Sequence, residues 1–306
     1  MDEAEQELSV ETGLLIRRVR EQQYSLGGAG NVVANLVSLG VGAVRAVGVA
    51  GLDVFGSRMV DLLRSFGILM DGFLLQEDWQ TMVYAKPRIG SAESNRIDFG
   101  SFNDLSDKDL DTLTDQLEVA ARQSDVVILN QQVPRGVMTR HMMQRVNNLI
   151  ESLPEVIFIV DARDKAEQFA PAVLKLNSVE ASRCLGQAHD EEISLDRSLQ
   201  QVRELQGRTG KPAFVTRGMQ GIVFAAGDDA GHVPGIYISG EVDTVGAGDT
   251  VVSALAATLG SGQSARMAAE LANLAAMVTV QKIRTTGTAS PEEILRVAAE
   301  NARGMH

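Results

Sequence analysis

The chain has 306 residues, of which 44% are hydrophobic and 22% are charged, and its formal net charge is −12. This composition is typical of a globular protein with a large core, and the negative charge argues against nonspecific binding to nucleic acid or to anionic membranes. The acidic start, the lack of an apolar run of roughly 18 residues and the single cysteine, Cys184, lead us to expect a cytoplasmic protein without a membrane span or an internal disulfide.

Short apolar runs alternate with helical patterns along most of the chain. In chain order the patterns predict a strand at 43–50, helices at 53–67 and 107–122, and strands at 125–130, 155–163, 171–178 and 212–218. Strands that are hydrophobic throughout and alternate with helices indicate a parallel sheet covered on both faces. Ligands bind beyond the carboxyl ends of such strands. The polar residues at these ends are Asn130, Asp161 to Arg163, Asn177, and Thr216 to Gly218.

Residues 71–100 interrupt this alternation. They contain two or three strand patterns with turns and no helical pattern, and with GLLIRRVR at 13–20 they predict a small antiparallel sheet outside the main body. We assign residues 12–26 and 71–103 to this element. It either closes over a substrate as a lid or forms a plain surface meander.

The segment VDTVGAGDTVVSALAATLGSG at 242–262 places two glycines and a carboxylate in front of an apolar helix. Backbone N–H groups at a helix start attract anions, and Gly246 and Gly248 allow close approach. Asp249 is then either a helix cap or a general base. A base at this position takes the proton of a substrate hydroxyl while the amides bind a transferring phosphoryl group.

Five segments together resemble the motifs of one protein family. They are LGGAGNVVANLVSLG at 26–40, LNSVEASRCLG at 176–186, VTRGMQGIVF at 215–224, DTVGAGD at 243–249 and ELANLAAMVTVQKIRTTGTASPEEI at 270–294. In this order they resemble the signatures of the PfkB/ribokinase family of sugar kinases. The resemblance implies a ribokinase-like three-layer α/β/α fold with a mostly parallel central sheet and a small β-sheet lid. It also implies a single kinase domain over residues 1–306.

Within the family, the sequence is most similar to the D-glycero-β-D-manno-heptose 7-phosphate kinase domain of ADP-heptose synthase. The similarity lies in the residue sequence of 26–40, in RIDF at 96–99 and in TTGTASPEEI at 285–294. It implies transfer of the γ-phosphate of ATP, with Mg²⁺, to the anomeric hydroxyl of a heptose phosphate destined for lipopolysaccharide. One alternative is a family kinase for fructose, ribose, a sugar acid or a nucleoside. Another is a non-catalytic relative that binds sugar or nucleotide.

The resemblance also implies roles for individual residues around the sugar. Asp249 is the expected general base, with Gly246, Ala247 and Gly248 as the anion hole. The expected sugar contacts are Gly27, Gly28, Asn31 and, in the lid, Arg96. For Gly28 the alternative is a tight turn, and for Asn31 it is a polar residue at a helix start.

A second set of residues is expected to bind the nucleotide. Asn177 and Glu180 would organise the triphosphate and its Mg²⁺, with Glu180 acting through water because Mg²⁺ keeps much of its hydration. The alternative for this pair is an ordinary helix start. Asn273 faces the nucleotide or caps a backbone group. The remaining expected contacts are Thr216, Gly218 and Gly221, although a turn after a strand explains the glycines equally well.

Three features depart from the family pattern. The family opens with a central strand and an acidic sugar contact, and the residues before Gly27 contain neither. We expect either that the chain is truncated or that it has lost this strand, which would leave unpaired backbone groups in the sheet. LNQQVPRG at 129–136 and DARD at 161–164 also differ from the heptose kinases and leave the sugar open. The edge of the lid sheet predicts a possible homodimer.

Overall fold

The structure is a computed structural model that describes residues 7–90, 92–133, 136–188, 193–238, 240–283 and 285–302. In chain order its strands are β1 (Glu7–Leu8), β2 (Leu15–Ile16), β3 (Arg45–Gly51), β4 (Leu69–Gln76), β5 (Val83–Ala85), β6 (Arg88–Ile89), β7 (Ala92–Glu93), β8 (Ile97–Phe99), β9 (Val126–Gln131), β10 (Ile157–Ala162), β11 (Val173–Asn177), β12 (Ala213–Thr216), β13 (Ile222–Ala226) and β14 (Asp229–Val233). Its α-helices are α1 (Ala29–Ser38), α2 (Val54–Ser65), α3 (Asp107–Ala121), α4 (Arg140–Ser152), α5 (Ser178–Cys184), α6 (Leu195–Thr209), α7 (Ala247–Gly260), α8 (Ala265–Val280) and α9 (Pro291–Ala302).

The main sheet has six strands in the order β14-β13-β12-β11-β10-β9. Strands β9 to β12 are parallel to one another, whereas β13 and β14 are antiparallel to their neighbours. This agrees with the predicted strands at 125–130, 155–163, 171–178 and 212–218. The carboxyl ends of the parallel strands therefore lie along one edge of the sheet, where the sequence places its polar residues.

Helices cover both faces of this sheet. On one face, apolar side chains of α3, α4, α5 and α6 pack with Phe158 and Val160 of β10. On the other face, α1, α7, α8 and α9 pack with Ile159 of the same strand. Alternate residues of a strand point to opposite faces, so a strand between two helical layers must be apolar throughout. The structure thus confirms the predicted three-layer arrangement with a mostly parallel sheet.

Strands β3 and β4 form a separate parallel pair. The helices expected at 53–67 and 107–122 are present as α2 and α3, and α3 packs against both strands of the pair. This arrangement corrects one part of the lid prediction. Residues 71–76 lie in β4, beside β3, and are not in an antiparallel sheet outside the main body.

The remaining strands form three short antiparallel pairs. β5 pairs with β8, β6 pairs with β7, and β1 pairs with β2. Residues 15–16 therefore pair with 7–8, whereas the sequence pattern had joined 13–20 to the strands after residue 71. Ser91, between β6 and β7, and Pro134 and Arg135 of the segment 129–136 lie outside the described residues.

None of the helices in the described part of the chain is both long enough and apolar enough to cross a membrane.

Candidate active site

The start of α7 has a backbone that only glycine adopts without strain. Gly246, the residue before the helix, has φ = 83°, in the left-handed region. A Cβ at this position would lie 2.7 Å from Asn31 Nδ2. Gly246 therefore combines a positive φ with a close approach to α1, which explains the first glycine of the predicted signature.

Asp249 lies in the first turn of α7 and is oriented by α1. Its Oδ2 accepts a hydrogen bond of 2.9 Å from Asn31 Nδ2. Burial raises the pKa of Asp249 to about 6; the Asn31 hydrogen bond opposes this effect and the nearby Asp161 carboxylate adds to it. The structure thus brings the predicted base together with the predicted sugar contact, and it gives the carboxyl group a pKa suited to accepting a proton near neutral pH.

Asn35 makes two further hydrogen bonds, one within α1 and one with α7. Asn35 Nδ2 donates to the backbone oxygen of Asn31 over 2.9 Å, and Asn35 Oδ1 accepts from Thr250 Oγ1 over 3.0 Å. Both asparagines are buried, with exposures of 1% and 0%. Since buried polar groups without partners are costly, this network specifies one relative position of the two helices. Asn31 is therefore held in place at Asp249.

The first turn of α7 supplies backbone donors beside this carboxylate. The Ala247 N–H donates to the Thr244 oxygen over 3.2 Å within the turn, so this amide of the predicted anion hole is already engaged. Among the described residues, no acceptor is found for the N–H groups of Gly248 and Asp249. These are the helix-start amides that a bound anion would satisfy.

A buried ion pair that the sequence analysis missed lies beneath this turn. Lys175 Nζ is 2.9 Å from Asp161 Oδ1, and both side chains are nearly inaccessible. A Cβ on Gly248 would lie 3.2 Å from the same Nζ, so the ammonium group is directly below the helix start. Asn130 Nδ2 donates to Asp161 Oδ2 over 3.2 Å. The three side chains come from neighbouring strands, β9, β10 and β11.

The buried pair keeps Lys175 charged beneath the candidate anion site. Burial alone would lower the pKa of Lys175, but Asp161, with smaller contributions from Glu180 and Asp249, outweighs it and raises the pKa above its usual value. Lys175 is therefore an ammonium ion in the native protein. A sequence signal for it did exist, because a lysine is unusual within an apolar strand.

Three of the four predicted sugar contacts line one continuous cavity with the base, whereas Asn31, which is 1% exposed, is not among the lining residues. Gly27, Gly28 and Arg96 lie on the wall that also carries Gly246 and Asp249. Gly28, with φ = 51°, precedes α1, which agrees with the tight-turn alternative and leaves its backbone on the cavity surface. The cavity volume is about 2880 Å³, larger than a sugar phosphate and a nucleotide need.

The guanidinium group of Arg96 is held within the antiparallel strands. Its Nε and Nη2 donate to the two carboxylate oxygens of Asp98 over 2.7 and 2.8 Å, and it stacks over the Tyr84 ring at 4.1 Å. The Asp98 hydrogen bonds raise the pKa of Arg96. A phosphate would therefore share or replace the Asp98 contact.

The predicted nucleotide contacts lie apart from this wall, at the ends of β11 and β12. Asn177 caps α5: its Oδ1 accepts the Glu180 N–H over 2.9 Å, while Glu180 Oε2 accepts the Asn177 N–H over 2.8 Å. This capping box is the helix-start alternative stated above. Burial raises the pKa of Glu180, although the Asn177 hydrogen bond and the charge of Lys175 both act to lower it. Thr216 is the register partner of Asn177.

Structural roles account for two other predicted nucleotide contacts. Gly221 has φ = 89°, and a Cβ there would lie 2.1 Å from the Val233 oxygen, so only glycine fits. Asn273 Nδ2 donates to the Pro234 oxygen over 2.7 Å, in agreement with the backbone-capping alternative. Gly218, with φ = 57°, has open space where a Cβ would be, so its surface is available to a ligand.

Comparison with known proteins places this site in a family. A sequence model described as pfkB family carbohydrate kinase matches residues 2–293. The chain belongs to this family. Its members are phosphotransferases that act on sugar hydroxyl groups, which confirms the resemblance drawn from the five motifs.

Individual relatives agree with membership of the pfkB family. The chain is 29% identical over 281 residues to the bifunctional protein HldE of Desulfatibacillum aliphaticivorans. The aligned region covers 91% of this chain and 56% of that protein. It is 32% identical over 299 residues to the HldE protein of Pelobacter propionicus, which covers 95% of the chain and 59% of that protein. The chain thus spans little more than half the length of these curated relatives.

Solved structures of pfkB-type kinases share the fold. Phosphofructokinase-2 from Escherichia coli in complex with fructose-6-phosphate superposes with a TM-score of 0.72 at 19% identity, covering 90% of this chain and 88% of that one. Ribokinase from Thermotoga maritima gives a TM-score of 0.70 at 17% identity, covering 93% and 91%. The ribokinase-like fold is therefore confirmed.

Proposed function

We propose that this pfkB-family chain transfers the γ-phosphoryl group of ATP to a hydroxyl group of a sugar or sugar phosphate, with Asp249 as general base. The observation that carries the proposal is the position of Asp249. It lies in the first turn of α7, bound to Asn31 at 2.9 Å, on the wall of the cavity and with a pKa of about 6. At pH 7 about nine in ten such groups are ionised and ready to accept a proton.

In the proposed reaction, the substrate hydroxyl gives its proton to Asp249 as its oxygen attacks the terminal phosphorus. The bond between that phosphorus and the bridging oxygen breaks, and the nucleoside diphosphate leaves with the electron pair. The Gly248 and Asp249 amides and the ammonium group of Lys175 are placed to stabilise negative charge on the transferring group. Asn31 keeps the carboxylate in the orientation that the proton transfer requires.

The residues present fit ATP with a hydrated Mg²⁺. Asn177, Thr216 and Gly218 lie at the carboxyl ends of adjacent strands, where α/β folds bind ligands. No group of three or more His, Cys, Asp or Glu side chains suited to a metal occurs in the described part of the chain. Because Mg²⁺ keeps much of its hydration, Glu180 would hold the ion through water, and the ion would neutralise phosphate charge.

We propose heptose 7-phosphate, phosphorylated at its anomeric hydroxyl, as the first substrate to test. The similarity to HldE proteins over more than nine-tenths of the chain supports this choice, as does the RIDF segment, which places Arg96 on the cavity wall. A guanidinium group is well suited to bind a sugar phosphate in a bidentate manner. Another family sugar remains the alternative, since the 129–136 segment differs from the heptose kinases.

A coupled assay of ADP formation across a sugar panel tests the proposal. The panel holds heptose 7-phosphate, fructose, fructose 6-phosphate, ribose, a sugar acid and a nucleoside. Turnover of heptose 7-phosphate at least tenfold above every other acceptor is the expected result. Preference for another sugar would replace the substrate but keep the chemistry, and failure with every sugar and with added Mg²⁺ would favour a binding protein without catalysis.

We further propose that two copies associate through the antiparallel strands around 83–99. β5 and β8 form only a two-stranded sheet in the described structure, and an unpaired strand edge is a common site of association. Light scattering of the purified chain should then give twice the monomer mass. A charged substitution at Tyr84, which is 44% exposed on β5, should return the protein to a monomer.

A further inference from the structure

The sheet is interrupted between β9 and β3. Within the described residues β9 pairs with β10 alone and β3 pairs with β4 alone, so each strand has one edge without a strand partner. Both pairings are parallel, and β9 has six residues and β3 has seven. Unpaired backbone groups inside a protein cost free energy. The interruption therefore has two edges able to accept hydrogen bonds and to donate them.

Helices continue across the interruption on both faces. On one face, Val47 and Val49 of β3 belong to the same apolar cluster as Val127 and Leu129 of β9, together with side chains of α3. On the other face, Leu36 of α1 packs both with the cluster that holds Val126 and Ile128 and with the cluster around β3. The two sheets thus share their helical layers, and the gap lies in the plane of the sheet.

The gap is lined mainly by apolar side chains and is part of the large cavity; its polar members are Arg45, which pairs with Asp71, and Asn130, which donates to Asp161. Residues 44–49 and 126–130 line it from the two edges, and Val33 of α1 and Leu117 of α3 line it from the two faces. Val126, Val127 and Ile128 are only half-buried, whereas Ile159 and Val160 of the next strand are 0% exposed. We call this gap, bounded by 44–49 and 126–130, the strand slot.

We propose that the strand slot binds an extended, uncharged, apolar polypeptide segment of about six residues, which lies parallel to β9 and β3 and joins the two sheets into one. The length follows from the six and seven residues of the two edges. The apolar character follows from the helical layers on both faces, since a strand in that position has no face in solvent. The parallel direction extends the parallel pairings already present on each side.

Other occupants meet these requirements less well. An α-helix bonds its backbone internally, so it would leave both strand edges without partners. An apolar small molecule or a detergent would cover the side chains but leave the strand edges without partners. An added strand satisfies the side chains and both edges together, as in β-strand addition at an exposed sheet edge.

The test adds a synthetic peptide to the full chain. The peptide carries the core Val-Ile-Val-Val-Ala-Val with two lysines at each end for solubility, and the control peptide has proline at the two central positions, which removes two backbone donors. We expect the first peptide at 100 μM to raise the Tm by about 3 °C, as a ligand with a Kd near 10 μM would. Amide hydrogen exchange in 45–51 and 126–131 should slow at least tenfold, with no change in 229–233.

Several results would overturn the proposal. These are an unchanged Tm and exchange rate, equal stabilisation by the proline peptide, or equal protection of both strands by a detergent below its micelle concentration. Protection of 45–51 and 126–131 in the peptide-free chain that disappears when the protein is diluted to a monomer would show that a second copy fills the slot instead.

A photo-crosslinking peptide locates the binding directly. With benzoylphenylalanine at one central position, adducts are expected in 44–49 or 126–130, and adducts confined to other segments would contradict the assignment. None of these readouts requires turnover. A chain that binds the peptide but phosphorylates no sugar would support the slot and refute the kinase proposal. A chain that phosphorylates a sugar but does not bind the peptide would refute the slot and leave the kinase proposal standing.

Discussion

Replacing Asp249 with asparagine should abolish most activity and, at the same time, stabilise the fold. The amide keeps an oxygen that can accept the Asn31 hydrogen bond of 2.9 Å, but it cannot accept a proton. We expect kcat to fall by about 100- to 10,000-fold, the usual contribution of a general base, with a smaller change in KM. In the parent chain, kcat/KM should fall about tenfold per pH unit below about 6, where Asp249 becomes protonated.

The effect on stability follows from the direction of the pKa shift. The pKa of Asp249 rises from 3.8 to about 6 because burial disfavours the charged form, and a shift of about two units corresponds to roughly 3 kcal/mol. The ionised carboxylate thus destabilises the folded state above pH 6, and this effect disappears as the pH falls through 6 toward 3.8. Asp249→Asn should therefore gain up to about 3 kcal/mol at pH 8 and nothing near pH 4.

Urea unfolding at pH 4, 6 and 8, beside steady-state kinetics, measures both effects. Asp196→Asn is the matched control, because Asp196 is also in the first turn of a helix, α6, but is exposed. That variant should keep full activity and show no gain in stability at pH 8. If Asp249→Asn keeps kcat within threefold, the assigned base is wrong, and a stability difference that does not change with pH would refute the role of burial.

Four other substitutions test the surrounding residues. Lys175→Met leaves the Asp161 carboxylate buried without its cation, so the free energy of unfolding in urea should fall by about 3–5 kcal/mol; a loss below 1 kcal/mol would contradict a tight pair. Gly246→Ala places a Cβ at φ = 83° and should cost at least about 1–2 kcal/mol in thermal unfolding, with reduced kcat as the check on the site. Asn177→Ala removes the α5 cap and should cost about 1 kcal/mol; an unchanged KM for ATP would restrict this residue to capping. Arg96→Ala should raise KM for a sugar phosphate about tenfold, equal to about 1.4 kcal/mol, with kcat within threefold; unchanged affinity would remove the arginine from the substrate site.

The sequence predicted the main sheet well because its strands carry a local signal. A strand between two helical layers is apolar at every position, and the runs at 125–130 and 155–163 match β9 and β10 within one or two residues at each end. The pairing of strands has no such local signal. Residues 71–76 were correctly read as extended, but only the structure shows that they pair with β3.

The candidate site shows the same division. Asp249 and Gly246 were found because a glycine turn and a carboxylate at a helix start form a contiguous pattern. The Lys175–Asp161 pair was missed because its members are 14 residues apart and meet only when β10 and β11 align. Asn273 was left open between a ligand contact and a backbone cap, and the distance to the Pro234 oxygen supports the cap.

The amino-acid sequence alone therefore determined the family, the alternation of strands and helices, and the acid at the start of α7. Each of these features depends on residues that lie close together in the sequence. The tertiary structure decided which charges meet beneath that helix and raised the pKa of Asp249, because burial and distance depend on the whole packed chain. The tertiary structure also revealed the slot between β9 and β3, because an unpaired strand edge can be identified only when the pairing of the strands is known.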